Sequence, residues 1–292
     1  MIVQVHSGRS RALSGVGFMV LGATIIQWSA AIATGVFRSL GPSATSAWRI
    51  LIGALVLVAF VRPKVRGWTR SQWMGAVALG ASIAFMNQCF YQAIARIPLG
   101  TAVVIEYLGP FLVSALGKRS AKHLAFVALA ALGVLAIAHP GGGFHLWGVV
   151  FAAGSGMGWA AYVFAAHRVG SQAEGFGGLA VSLAVSAVLT SPMSMGSLGR
   201  VVASPGLLVR LLEIAVMGVV LGFAFELQAL RRLRPATAGV IFALDPAMAF
   251  VIGLILLHQS VSGWDLVGIL CVVVAGAGVT YDATSADPLV AQ

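Results

Sequence analysis

Ten predominantly apolar stretches of about 20 residues each follow one another along this chain, separated by gaps that carry Gly, Pro, Ser or basic residues. A helix of that length crosses the hydrocarbon core of a bilayer, where the backbone must satisfy its hydrogen bonds internally. The sequence therefore predicts an all-α polytopic membrane protein with ten transmembrane helices. The predicted spans are 14–37, 44–61, 73–95, 99–117, 121–138, 146–166, 176–192, 208–228, 236–257 and 263–281.

Composition agrees with lipid as the main solvent of the chain. Of its 292 residues, 59% are hydrophobic and 9% are charged, whereas about a quarter of the residues of a soluble domain are charged. A formal net charge of +10 would suggest a nucleic-acid partner if the basic residues lay along one folded face. They lie instead in the short gaps between apolar stretches, so we expect membrane lipids and no nucleic acid as partners.

The basic residues are divided unevenly between the two sides of the predicted membrane. Short loops rich in Lys and Arg stay in the cytoplasm, and a cytoplasmic N-terminus places most of the basic residues inside. The sequence therefore predicts an inner (plasma) membrane protein with both termini in the cytoplasm. The inner set is Arg9, Arg11, Arg62, Lys64, Arg66, Arg70, Lys118, Arg119, Lys122, Arg168, Arg231, Arg232 and Arg234; the outer set is Arg38, Arg96, Arg200 and Arg210.

The two halves of the chain repeat one another. Trp28 and Trp159 hold matching places early in each half. The predicted units are a five-helix repeat over 14–138 and a second over 146–281, with tails at 1–13 and 282–292. At a constant offset, Gln92-Ala93 and Thr101-Ala102 followed by Pro110 recur as Gln228-Ala229 and Thr237-Ala238 followed by Pro246.

Five spans per half is an odd number, so the second half enters the membrane from the opposite side and the repeat is predicted to be inverted. Inverted repeats place a binding site near the bilayer midplane and let it face either side in turn. This arrangement favours an alternating-access transporter. A channel or a membrane enzyme that arose by gene duplication would show the same repeat.

Two carboxylates fall near the centres of predicted spans, Glu106 in the fourth and Asp245 in the ninth. An ionisable group at that depth costs several kcal/mol unless it is paired or hydrated, so each is a candidate for holding a substrate ammonium group or a proton. A proline follows each of them, Pro110 and Pro246, and a kink there would expose backbone carbonyls. A protonated carboxyl bonded to a neighbouring helix, with kinks that serve packing, is the alternative.

Polar and aromatic residues cluster in three other spans at helical spacing. Aromatic walls with a few amides suit a small zwitterion, and an indole ring can lie against an ammonium group. Hydrogen bonding between helices would also account for the amides, and packing would account for the tryptophans. The predicted pocket residues are Gln27, Trp28, Asn87, Tyr91, Trp159 and Tyr162, together with Tyr107 beside Glu106.

Two further charged residues are candidates for a gate or an ion pair. Arg49 enters the second span from the outer side, and its long side chain could extend outward to water, meet a substrate carboxylate or pair with a carboxylate in the bundle. Glu226 lies near the inner end of the eighth span, where Arg231 and Arg232 follow, and an ion pair or gate is the favoured interpretation.

Several motifs resemble those of the drug/metabolite transporter superfamily, whose EamA-type members have ten spans in two five-span repeats. The resemblance is nearest to the RhtA group of threonine and homoserine exporters and runs from about residue 15 to 281. The motifs are Ile26-Gln27, Met86-Asn87, Phe90-Tyr91, Ile97-Pro98-Leu99-Gly100-Thr101-Ala102-Val103 leading to Glu106-Tyr107-Leu108-Gly109-Pro110, then Trp159-Ala160-Ala161-Tyr162, Glu226 and Asp245-Pro246-Ala247.

This resemblance implies export of small neutral amino acids from the cytoplasm, coupled to the proton gradient, without ATP, cofactor or metal. The chain departs from the group at Asp245, where glutamate is usual, and at Leu257-His258-Gln259-Ser260, which replaces Leu-Gly-Glu-Thr. A broader metabolite or drug exporter is the alternative within the superfamily. From other classes, a passive channel shares the polar cavity, whereas an intramembrane enzyme would need a His-Glu-x-x-His or Ser–His arrangement that the sequence does not supply.

Overall fold

The computed structural model of the protein is helical throughout the segments it describes, which are residues 2–116, 121–137, 145–170, 176–230, 232–233, 245–260 and 262–285; none of these ranges contains a β-strand. A π-helical segment, Val216–Leu221, joins α9 to α10. The α-helices are α1 (Ile2–Leu40), α2 (Pro42–Val61), α3 (Arg70–Ile94), α4 (Leu99–Leu116), α5 (Ala121–Ile137), α6 (Leu146–Gly170), α7 (Gly177–Met195), α8 (Leu198–Ala203), α9 (Pro205–Ala215), α10 (Gly222–Leu230), α11 (Asp245–Leu257) and α12 (Gly263–Ser285).

Within the described residues, six helical segments are long and apolar enough to cross a membrane by length and composition: Ser14–Leu40, Pro42–Val61, Arg70–Ile94, Leu146–Ala166, Gly177–Met195 and Pro205–Glu226. Four shorter apolar segments are Leu99–Gly109, Leu124–Ala136, Asp245–Leu257 and Gly263–Gly278. Every one of them overlaps a stretch predicted as a span. The all-helical class is therefore confirmed, whereas ten complete crossings and the division into two repeats stay predictions.

Local sequence signals set the ends of the first three helices. Gly41 separates α1 from α2 with a φ of 80°, a left-handed value that glycine adopts without strain, and Pro42 occupies the first position of α2. Arg62 ends α2, and its backbone N–H bonds to Val58 O. At the start of α3, the Thr69 side chain accepts from the Gln72 N–H while the Gln72 side chain accepts from the Thr69 N–H, a capping box.

The helices pack around a central space. Helix α6 lies against α3 and α4, and α7 lies against α2 and α3. On the other side, α1 packs against α10 and α11, and α11 packs in turn against α4. Helices α5 and α12 pack against each other. The central space is therefore bounded by helices from both halves of the chain.

Glycines allow the closest of these helix contacts. A Cβ added to Gly156 of α6 would lie 2.8 Å from the Glu106 carbonyl oxygen of α4. A Cβ added to Gly158 of the same helix would lie 2.8 Å from Met86 Cα of α3. Small residues let membrane helices approach closely in this way, so Gly156 brings α4 close to α6 and Gly158, on another face of α6, brings α3 close to it.

Gly158→Ala is expected to destabilise the protein, because the added methyl group meets the backbone of α3 and not the end of a flexible side chain. Overpacking of this kind costs about 1–3 kcal/mol. The matched control is Gly35→Ala in α1, where an added Cβ meets nothing within 4 Å; there alanine gains up to about 1 kcal/mol in helix propensity. Thermal unfolding in detergent should show a lower Tm for Gly158→Ala and an equal or higher Tm for Gly35→Ala. Equal losses in both variants would contradict the packing described.

One helix was not predicted from the sequence. Helix α8 connects α7 to α9, and its six residues are too few to carry an apolar period. The kink predicted at Pro246 stays a prediction, because Asp245 and Pro246 are the first described residues of α11. The part of the ninth predicted span before Asp245 lies outside the described residues.

Candidate functional site

A cavity of about 160 Å³ lies in the central space, well above the roughly 10–15 Å³ that one water needs. Its walls come from α1, α2, α3, α4, α6, α7, the π-helical segment, α10 and α11. The lining is mostly apolar, with charged and polar groups from several helices converging on it. Its polar and aromatic members include Gln27, Arg49, Asn87, Tyr91, Glu106, Trp159, Tyr162, Glu226 and Asp245.

Nine of the eleven residues proposed from the sequence therefore border one cavity. Trp28 does not, because it is 39% exposed on the outer face of α1. Tyr107 lies behind the wall, with its ring 5.9 Å from that of Trp159 in an edge-on arrangement. The structure brings the remaining residues together, and their roles in binding stay predictions.

Three carboxyl groups face the cavity from three different helices. Glu106 comes from α4, Glu226 from α10 and Asp245 from α11. Asp245 lies within electrostatic range of both Glu106 and Glu226 and repels their charges. The Ser155 hydroxyl of α6 lies in hydrogen-bond contact with Glu106 Oε1 and 3.0 Å from Met86 O. We call these three carboxyl groups the acidic wall.

Arg49 supplies the guanidinium group in the lining. It donates from Nη1 to Asn87 Oδ1 at 2.5 Å and from Nη2 to Gly218 O at 3.0 Å, and its Cζ lies 5.7 Å from the centre of the Tyr91 ring. Its charge also attracts that of Glu106. The outward orientation weighed from the sequence is wrong, because these acceptors hold the side chain inside the bundle.

The π-helical segment positions one of these acceptors, the Gly218 carbonyl. A π-helix bonds i to i+5 and is frequent at functional sites. Here it turns the Gly218 carbonyl toward Arg49, and a Cβ on Gly218 would lie 2.8 Å from Arg49 Nη2. Gly218 is thus a site residue that sequence reasoning missed, since a single glycine in an apolar span gives no signal of a π-turn.

Two matched arginine clusters lie beyond the cavity. Arg96 contacts the backbone oxygen of Gln92 at 2.7 Å and its side-chain oxygen, and lies 5.1 Å over the Phe151 ring. Arg232 contacts Gln228 O at 2.7 Å and Oε1 at 2.5 Å, and lies 4.7 Å over the ring of Phe18. Gln92 and Gln228 are the residues matched in the sequence repeat. We call these the Arg96 cluster and the Arg232 cluster.

Glycines complete the match between the clusters. A Cβ on Gly148 would lie 2.5 Å from Ile97 Cγ2, and a Cβ on Gly15 would lie 2.8 Å from Leu233 Cγ. Each glycine belongs to the helix that carries the cluster's phenylalanine, and each apolar neighbour follows the cluster's arginine in the chain. The two clusters are therefore built from corresponding residues of the two halves.

The clusters lie toward opposite ends of the membrane-length part of α1, Ser14–Leu40. Phe18 near the beginning of the membrane-crossing part of α1 packs under Arg232, whereas Phe37 near the end of α1 packs on Tyr91, whose neighbour Gln92 belongs to the Arg96 cluster. These two phenylalanines are about five helical turns apart, or roughly 28 Å. The cavity borders α1 between them, from Met19 to Ala30.

Comparison with known proteins identifies relatives for almost the whole chain. The chain is 29% identical over 265 residues to the threonine/homoserine exporter RhtA of Salmonella typhimurium (strains SL1344 and LT2), with 90% of each chain covered. It is also 29% identical over 258 residues to the protein of the same name in Escherichia coli K12, with 87% of each covered. A solved crystal structure shares the fold with a TM-score of 0.59 at 20% identity, covering 91% of this chain and 97% of that one.

The second half of the chain also matches a family model, that of the EamA-like transporter family, over residues 146–281. The relatives are transporters, not enzymes. Residues 146–281 are therefore similar to the EamA-like transporter family, and the chain is similar to RhtA exporters along about nine-tenths of its length, which confirms the resemblance found in its sequence.

Proposed function

We propose that this protein is an alternating-access exporter that moves small neutral amino acids, of the threonine and homoserine kind, out of the cytoplasm. The observation that carries the proposal is the central cavity, whose lining includes the carboxyl groups of Glu106, Glu226 and Asp245 as well as the Arg49 guanidinium. A zwitterion needs a counter-charge for each of its two groups when it leaves water. The printed function of the relatives supports the same substrate class.

In this proposal the acidic wall binds the substrate's ammonium group. Carboxylates from α4, α10 and α11 meet there, and Trp159 and Tyr162 of α6 add aromatic faces that attract a cation. Asn87 remains bonded to Arg49 and keeps the guanidinium in place. Trp28 and Tyr107 then have packing roles, Tyr107 behind Trp159.

Protons are proposed as the coupling ion. With all three carboxyls ionised, Arg49 would leave two negative charges unbalanced in a site where each buried charge costs several kcal/mol. Ser155 can form a hydrogen bond with Glu106 in either protonation state. Its hydroxyl has one proton and contacts two oxygens, Met86 O and Glu106 Oε1, so it donates to only one of them at a time. An ionised Glu106 accepts from Ser155, whereas a protonated Glu106 donates to Ser155 and leaves Ser155 to donate to Met86.

Alternating access rests on the two arginine clusters. They are built from corresponding residues of the two halves and lie beyond opposite ends of the cavity, as two gates of an inverted repeat would. Opening one cluster while the other stays closed exposes the cavity to one side at a time. We place the Arg232 cluster on the cytoplasmic side with both termini, following the uneven distribution of basic residues.

A broader metabolite or drug exporter is the second candidate. It is favoured by the mostly apolar and aromatic lining, combined with three carboxyls that could meet organic cations. A passive channel has the same cavity, but the two matched arginine clusters that we propose as gates favour a carrier.

A growth experiment separates the two transporters. Cells that overexpress the protein are expected to tolerate inhibitory concentrations of threonine or homoserine and to accumulate less of the amino acid, because export lowers the internal concentration. Sensitivity to cationic dyes should be unchanged. Resistance to dyes without resistance to amino acids would contradict the amino-acid assignment and support the broader exporter.

A further inference from the structure

The connection between α2 and α3, residues 62–70, concentrates positive charge outside the cavity. We call it the basic connection. Its four cations are all exposed: Arg62, Lys64, Arg66 and Arg70. The chain contains no acidic residue before Glu106, so no carboxylate lies near these cations along the sequence. The connection that follows α6 contains one acidic residue, Glu174, which would neutralise one of the four charges.

Hydrogen bonds within the chain order the basic connection. The Arg62 N–H bonds to Val58 O at 2.9 Å, and the Trp68 N–H bonds to Val65 O at 3.2 Å. Between them Gly67 has a φ of 91°, a left-handed value that glycine adopts without strain. The capping box at the start of α3 fixes the other end. The cations are therefore carried on a formed turn, and a ligand that binds them has little backbone to order.

Apolar and aromatic side chains show where the membrane surface meets the basic connection. Phe60, at the end of α2, is 83% exposed, and Met74, in the first turns of α3, is 62% exposed, as side chains in contact with lipid are. Trp73 is also exposed, and its ring lies 5.4 Å from that of Trp68. Tryptophan is enriched at the membrane interface, where its ring lies at the level of the lipid headgroups. The basic connection is therefore at headgroup level.

A negatively charged phosphodiester matches this surface. Guanidinium and ammonium groups form charge-assisted hydrogen bonds with phosphate oxygens. A cluster of basic residues directly beside a membrane-crossing helix attracts anionic lipid, with a gain of about fivefold in affinity for each cation near the surface. A zwitterionic headgroup carries the same phosphate, but its own positive charge offsets that attraction.

We infer that the basic connection is a binding site for the headgroup of an anionic phospholipid, with its four cations at the phosphate and the rings of Trp68 and Trp73 beside the lipid. The ligand is a component of the membrane and not the transported substrate, so this site is independent of the proposed function. The repeat offset places residues 198–206 at the matching position of the second half, where Arg200 is the single cation and no aromatic residue occurs. The site therefore belongs to one half of the chain.

Lys64→Gln combined with Arg66→Gln tests the site. Both side chains are exposed, and the backbone hydrogen bonds that order the connection do not involve them, so the Tm in detergent should be unchanged. The matched control is Arg38→Gln combined with Arg210→Gln. It removes two positive charges from exposed arginines on α1 and α9, outside the basic connection.

Native mass spectrometry of the purified full-length protein, titrated with phosphatidylglycerol or phosphatidylcholine, measures the affinity for each lipid. We expect phosphatidylglycerol to bind at least about fivefold tighter than phosphatidylcholine. The Lys64/Arg66 variant should bind phosphatidylglycerol at least about tenfold more weakly, and the control variant should bind it normally.

Three results would overturn the site. They are equal affinity for the two lipids, unchanged phosphatidylglycerol binding by the Lys64/Arg66 variant, and an equal loss in the control variant. Inorganic phosphate is added as a competitor to distinguish a lipid from a free anion. Displacement of phosphatidylglycerol by an equal concentration of phosphate would assign the cations to a soluble anion and contradict the lipid.

Discussion

Glu106→Gln is expected to lower amino-acid transport at least about tenfold, because a hydrogen bond to a charged group contributes about 1.5–3 kcal/mol and 1.4 kcal/mol is about a factor of ten. The glutamine has nearly the same size and still accepts a bond from Ser155, so the helix contacts around α4 are preserved. What it loses is the negative charge and the capacity to carry a proton. Initial rates of labelled threonine exchange in proteoliposomes, with the amount of folded protein checked by gel filtration, provide the measurement.

The control for Glu106→Gln is Glu213→Gln. Glu213 is an exposed carboxylate on α9 that does not border the cavity, so the same chemical change there should leave transport and Tm unaltered. Normal exchange by Glu106→Gln would remove Glu106 from the transport site. Equal losses in the two variants would show that the effect is not specific to the cavity.

Cross-linking either arginine cluster is expected to stop transport reversibly. The first pair is Gly148→Cys with Ile97→Cys, in which the cysteine at position 97 lacks the Cγ2 atom that would contact the new Cβ of position 148. The Cβ atoms of positions 148 and 97 are 3.4 Å apart, close to the Cβ–Cβ distance of about 3.5–4.5 Å in disulfides. In Gly15→Cys with Leu233→Cys the neighbouring Cγ lies 2.8 Å away. Each pair is introduced after Cys89 and Cys271, both free, have been replaced by alanine.

Each oxidised pair should lower exchange more than tenfold, and reductant should restore it, because a carrier must open both ends in turn. The single-cysteine variants under the same oxidant are the controls, and they should keep their activity. Full exchange through a protein with a quantitatively cross-linked cluster would contradict the assignment of that cluster as a gate. Such a result would leave the cavity residues unaffected, so the gate and the binding site are tested separately.

The helical class and the approximate positions of the helices could be predicted because apolar stretches of membrane length leave the backbone no alternative. Nine of the proposed site residues border one cavity. They could be predicted because an apolar span contains few polar residues, and each of these needs a hydrogen-bond or charge partner inside the bundle. Trp28 does not line the cavity, since helical spacing alone does not say which of two neighbours, Gln27 or Trp28, faces inward; a binding role for Trp28 stays a prediction.

Other features depended on contacts that one sequence does not reveal. The π-helical segment turns the Gly218 carbonyl toward Arg49. The hydrogen bonds from Arg49 to Gly218 O and to Asn87 Oδ1 keep its side chain inside the bundle, although it is long enough to reach water. Glu226 was expected near the inner end of a span as an ion pair or gate, a role that stays a prediction; its position on the cavity with Glu106 and Asp245 could not be read from the sequence.

The most direct test of the central claim is efflux of labelled threonine and homoserine from proteoliposomes that contain the purified protein, with and without a pH gradient. A carrier that binds these amino acids in the cavity should give saturable efflux, stimulated by unlabelled substrate on the opposite side and accelerated when the outside is acidic. Efflux that rises linearly with concentration and is not stimulated by substrate on the other side would contradict a carrier. The absence of efflux for every small amino acid tested would contradict an amino-acid exporter.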